Sequence, residues 1–171
     1  VPQGFDTPDK LSVPEVSHEF QGEILPTAGA EIYLREDLAL APVEAYTWQG
    51  VTGESQDQYG RVVVKQRFSK GSTMVVRPGE TLVVDFGQNC SQRIRLHMRD
   101  LEAEQSVTLR HVEVLEPDGS IATRTLRRGQ QCDVYTSNGS DAWWEPRFAM
   151  HGFRYAQIEG FAGELTAADM D

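Results

Sequence analysis

From Val43 onward the chain has a period of two, and that rhythm restricts it to a β fold. Val43, Ala45 and Thr47 alternate with Glu44, Tyr46 and Trp48. Arg61 to Phe68 is rich in β-branched residues and lies between Gly60 and Gly71, and Thr73-Met74-Val75-Val76 is followed by Thr81 to Phe86. Between those last two runs stands Arg77-Pro78-Gly79-Glu80, in which Pro presets φ and Gly permits the positive φ of a tight turn. Gln92 to Arg99 puts Ile94, Leu96 and Met98 on one face and Arg93, Arg95 and His97 on the other. Further strands are read at Ser106–Leu115, Ile121–Leu126, Cys132–Thr136, Trp143–Met150 and Gly152–Gly160. Glu116-Pro117-Asp118-Gly119 and Asn138-Gly139 mark turns. Asp100 to Glu104 reads as a loop or one helical turn. About ten short strands with turns roughly every 8–12 residues predict an all-β antiparallel sandwich or jelly roll, with few or no helices.

The remainder of the chain has a different texture. Residues 1–30 contain Pro2, Pro8, Pro14, Pro26 and the run Thr27-Ala28-Gly29-Ala30, with no sustained period; they read as an irregular lead-in or interdomain connector. Residues 31–160 form the expected sandwich. Residues 161–171 read as an exit segment toward a missing catalytic domain. At 171 residues the chain fits one domain with a core large enough to stand without disulfides, so Cys90 and Cys132 are expected as buried free thiols. A net charge of −10 argues against a nucleic-acid partner, because phosphate binding needs a basic face. No apolar run approaches the roughly 18–20 residues of a membrane span. A chain that starts at Val1 and ends at Asp171 reads as an excised piece of a longer protein.

Catalytic patterns are sparse. Glu113 with Glu116 and Asp133 with Glu145 are acid pairs, but 26 acidic residues make such neighbours unavoidable, and no catalytic residue is assigned. The four histidines lack metal-ligand spacing: His151 reads as a turn residue, and His97 and His111 as solvated strand residues. Asp85, Asn89 and Asp118 carry the oxygen ligands calcium favours, although bonding to nearby backbone is their expected use; no cofactor is assigned beyond that calcium candidate. Trp48, Trp143 and Trp144 are candidate sugar contacts, with core packing or an interdomain contact as the competing use. Trp143 and Trp144 must point to opposite faces of a strand. Arg147 and Arg154 alternate with Phe148, Phe153 and Tyr155. If those aromatics fill the core, the arginines face away and pair with carboxylates such as Asp133 or Glu113. Asp85, Asn89, Glu113, Asp133, Arg147, His151 and Arg154 are thus expected to form a structural polar network.

Five motifs occur in order: Arg77-Pro-Gly-Glu80, Asp85-Phe-Gly-Gln-Asn89, Arg110-His-Val-Glu-Val-Leu115 with Pro117-Asp-Gly119, Asp133-Val-Tyr135, and Pro146-Arg-Phe148 through His151-Gly-Phe-Arg-Tyr155. Together, over roughly residues 73–160, they make the chain resemble the concanavalin-like β-sandwich domain of bacterial α-L-rhamnosidases. Two positions depart from that family's pattern: Gln92 stands where a glycine is usual, as does Glu102-Ala103-Glu104 at a turn. The resemblance implies a parent enzyme that hydrolyses terminal α-L-rhamnose, with acid and base supplied by a following (α/α)6-barrel domain of the same chain. This segment is then a noncatalytic accessory domain packed against that barrel. The alternative is a carbohydrate-binding module for L-rhamnose or related sugars, with calcium as a candidate aid.

Overall fold

A computed structural model describes residues 25–26, 28–31, 33–52 and 61–170. The chain divides into two compact units, residues 1–34 and 35–171. The described part of the first is irregular backbone in which the Tyr33 hydroxyl donates to the Glu31 carboxylate. Most of the expected lead-in, residues 1–30, lies outside the described residues.

The second unit has ten described strands: β1 (Glu44–Thr52), β2 (Arg61–Ser69), β3 (Met74–Val76), β4 (Thr81–Gln92), β5 (Leu96–Met98), β6 (Ala103–Val112), β7 (Cys132–Asn138), β8 (Ala142–Trp144), β9 (His151–Glu159) and β10 (Gly163–Leu165). Six of them form one antiparallel sheet in the order β2-β1-β4-β9-β6-β7, while β3 pairs with β10 and β5 with β8. The only described helical elements are three-residue 3-10 turns.

Alternation decides what each face of the large sheet does. Ala45, Leu82, Val84, Phe86, Val107, Leu109, Ala156 and Ile158 join one buried apolar cluster. The small strand pairs add Met74, Val76, Leu96, Met98 and Leu165 to the same cluster. This is a sandwich core: each sheet hides one face against the other because apolar area removed from water is worth about 25 cal/mol per Å². Ile94, Leu96 and Met98 are buried together, as their alternation requires. The opposite face of the large sheet is covered locally by the segment after β6. There the Tyr46 hydroxyl donates to the Gly119 carbonyl, and Val62, Val83, Val112 and Ala122 are buried.

The Pro78-Gly79 turn closes as its residues dictate. Glu80 N–H donates to the Arg77 carbonyl at 3.0 Å, and Gly79 takes φ +80°.

Other expectations need correction. Ile121–Leu126 is not a strand: Ile121 makes a lone bridge to Leu115 across the Pro117–Gly119 turn, and 124–126 coil into a 3-10 turn before Arg127 takes φ +56°. The strand at Trp143 stops at Trp144, before Pro146, which has no N–H to offer a ladder. Phe148 takes φ +60° and is fully exposed, so it does not fill the core. Asp100–Glu104 is not wholly loop, since β6 starts at Ala103. Within residues 161–170, β10 pairs with β3, and Phe161, Leu165 and Met170 are buried.

Candidate functional site

The Asp-Phe-Gly-Gln-Asn motif sits inside β4, where the register against β9 slips between Asp85 and Cys90. Asp85 is the last residue in register before the slip, paired with Tyr155 and bonded to the adjacent Arg154. Arg154 donates from Nε to Oδ1 at 2.9 Å and from Nη2 to Oδ2 at 2.8 Å, and Gly87 N–H donates to Oδ1 at 2.7 Å. Burial works to raise the Asp85 pKa, but the guanidinium and the amide together hold it below the ordinary carboxylate value. Arg154 also lies over the Tyr155 ring, 5.0 Å from its centre. Arg154 therefore pairs with Asp85, and not with the expected Asp133 or Glu113. Glu113 instead accepts from the Asn89 side chain at 3.0 Å. Arg147 is exposed, and it has no carboxylate partner among the described residues.

Asp133 belongs to a second cluster. His111 on β6, Asp133 on β7 and His151 on β9 come from three neighbouring strands. His151 Nε2 lies 2.9 Å from Asp133 Oδ2, and His111 Nε2 lies 3.9 Å from the same oxygen. The two imidazoles stack with centres 4.2 Å apart and planes 19° apart, and Phe153 meets His111 edge-on. His111 is wholly buried, contrary to the expectation of a solvated strand residue. Burial pushes its pKa down to about 4, reinforced by the charge His151 can carry and opposed by Gln131 and Asp133. His151 opens β9 and bonds a carboxylate side chain, not turn backbone. Sequence reasoning missed His111, yet a signal was present: Val107, Leu109 and His111 fall on the same, core-facing side of one strand.

The acid pairs are each divided between separate partners. Glu116 meets Arg124 at 3.0 Å, Glu145 is bidentate with Arg93 at 2.9 and 3.2 Å, and Glu113 and Asp133 are held as described above. The proposed calcium ligands are likewise engaged: Asp118 accepts from the Ser120 amide and hydroxyl within its own turn.

The three tryptophans do not share one surface role. Trp144 packs against the core cluster, and Trp48 is half-buried with its indole N–H enclosed. Trp143 remains 45 % exposed; it stacks on His97 at 4.8 Å and lies under Arg95. Both cysteines are free and half-buried, and the Cys90 thiol donates to the Phe153 carbonyl. On the outer face of the large sheet a cleft of about 450 Å³ is lined by Glu44, Tyr46, Arg67, Asp85, Leu115 and Tyr155 among others.

A sandwich pinned by cross-strand ion pairs, with the Asp85–Arg154 fork near its centre, defines an antiparallel concanavalin-like β domain. Residues 75–171 match the bacterial α-L-rhamnosidase concanavalin-like domain, and the chain belongs to that family. It is 45% identical over 95 residues to an α-L-rhamnosidase of Streptomyces avermitilis, covering 55% of this chain and 9% of that protein. An α-L-rhamnosidase of Formosa agariphila is 28% identical over 104 residues, 60% of this chain and 11% of its own length. The solved structure of the Streptomyces avermitilis α-L-rhamnosidase complexed with L-rhamnose aligns at TM-score 0.50 and 31% identity, over 64% of this chain and 13% of that one. The α-L-rhamnosidase of Dictyoglumus thermophilum aligns at TM-score 0.51 and 29% identity, over 68% of this chain and 15% of that one. The chain thus spans only a small fraction of the length of each of these relatives.

Proposed function

We propose that this chain is a noncatalytic accessory domain of an α-L-rhamnosidase. Its role is to pack against and stabilise a catalytic (α/α)6 barrel, which removes terminal α-L-rhamnose from glycosides. The observation that carries this reading is proportion: the matched segment is 9% to 15% of each of these relatives, all of them named α-L-rhamnosidases. The engagement of Asp85, Glu113, Asp133 and Glu145 with Arg, Asn or His partners supports it, because a general acid or nucleophile must be available to substrate. The purified chain is expected to release no product from an aryl α-L-rhamnoside. Release by this chain alone overturns the reading.

A second reading, binding of L-rhamnose or a related sugar, is favoured by the outer cleft. Its volume falls within the usual small-ligand range, and Tyr46 and Tyr155 are placed beside Glu44, Arg67 and Asp85. Calorimetric titration with L-rhamnose, with and without calcium, separates the two readings. Absence of heat at millimolar sugar sinks the second.

A further inference from the structure

The cluster formed by His111, Asp133 and His151 has the makings of a ligand site that the accessory role does not use. One ligand atom from each residue lies within 4.8 Å of the others. His111 supplies the most pointed observation. Its Nδ1 lies 3.1 Å from the Gln131 carbonyl oxygen, which can only accept, so Nδ1 carries the proton. Nε2 is then left as a lone pair, fully buried, without a hydrogen-bond partner, and facing Asp133. A buried acceptor with no partner costs free energy that most proteins avoid. An imidazole with one nitrogen tied to a backbone carbonyl and the other bare is also how metal-binding histidines are oriented.

We propose that His111 Nε2, His151 Nε2 and the Asp133 carboxylate bind a divalent transition metal of the zinc class. Two imidazoles and one carboxylate form a nitrogen-rich set that suits zinc, whereas calcium and magnesium take oxygen ligands. The ligands sit on three adjacent strands, which fixes their spacing more firmly than a loop would. His111 Nε2 needs no change of tautomer, because Nδ1 already carries the proton. The imidazoles stack nearly parallel, and His151 Nε2 donates to Asp133, so binding must also displace the proton on that nitrogen. Binding therefore turns His151, the more accessible ring, out of the stack, while Gln131 holds His111 in place. A water or solvent-exposed group completes the fourth position on the side where Asp133 and His151 reach the surface.

The test is zinc chloride titrated into the chelator-treated chain. The readouts are calorimetry and the ring-nitrogen NMR shifts of its four histidines. One zinc per chain is expected, with the His111 and His151 Nε2 signals moving and those of His18 and His97 unchanged. Asp133→Asn and His151→Ala are each expected to weaken binding at least 10- to 100-fold. Far-ultraviolet circular dichroism establishes that each variant is folded. If a variant does not fold, the NMR shifts of the unaltered chain decide. No saturable binding at millimolar zinc overturns the proposal, as a water alone then serves His111. Binding that moves His97 or the cysteines, or that survives both substitutions unweakened, also overturns it.

Discussion

Arg154 on β9 and Asp85 on β4 are joined by two parallel hydrogen bonds at 2.9 and 2.8 Å, although 69 residues separate them in sequence. The pair locks the register of the two central strands where β4 slips by several residues, a place at which alternation alone cannot specify pairing.

Asp85→Asn removes the charged fork and weakens the bond from Gly87. Because Arg154 is 40% exposed, solvent screens the pair, and the expected loss is modest, about 1 kcal/mol. Urea denaturation of D85N, of Arg154→Met and of the double variant measures it. The double variant should lose less than the sum of the singles.

Acid destabilises the fold in two stages. His111 titrates at about 4 when folded and near 6.5 when unfolded, so the unfolded chain takes up a proton that the folded chain refuses. The neutral-His111 contribution is complete above about pH 6.5. It falls as pH drops from there toward 4, by roughly 3 kcal/mol in all. Asp85 works lower: its depressed pKa contributes stability above the ordinary carboxylate range, and that is lost as pH falls through the folded value. Urea midpoints measured between pH 7.5 and 4.5 should drop for the parent chain and stay flatter for His111→Gln.

Trp143 and Trp144 separate by face. Trp144→Ala removes packing from the core side and is expected to cost about 3 kcal/mol, whereas Trp143→Ala should cost less than about 1 kcal/mol. Thermal unfolding of the two variants distinguishes them, and equal losses would contradict the placement.

Gly160 and Gly71 share a left-handed backbone but differ in surroundings. A Cβ at Gly160 runs into the Ser106 carbonyl oxygen, while one at Gly71 meets open space. Gly71→Ala is expected to cost about 1 kcal/mol, the conformational penalty alone. Gly160→Ala must also displace the start of β6, and is expected to cost at least about 2 kcal/mol more. Chemical denaturation of the two variants gives the difference directly.

Those contrasts also mark how far the sequence could be read. Alternation at Ile94, Leu96 and Met98, the Pro78-Gly79 turn and the opposed tryptophans all follow from period and turn chemistry, which act over a few residues. The Arg154 partner did not follow, because it depends on the register slip between β4 and β9, and nothing local encodes pairing between strands so far apart. Phe148 misled because Pro146 and a positive φ break an apolar pattern that otherwise reads as strand. His111 was misread by residue type: histidine suggests solvent, while its position in the Val107-Leu109-His111 alternation places it inside. Within residues 161–171, read as an exit segment, Phe161, Leu165 and Met170 are buried.

The strand order has a consequence for how the chain is made. β9 lies between β4 and β6 and, among the described strands, supplies the only ladder joining β2-β1-β4 to β6-β7. Until residues 151–159 have left the ribosome, the large sheet exists only as two separate parts. Each part exposes one strand edge that β9 will later occupy. From the end of β6 at Val112 to the start of β9 at His151, the nascent chain therefore carries two open edges. Its folding is a late, single closure, in which β9 must find both edges before they find each other or a neighbouring chain.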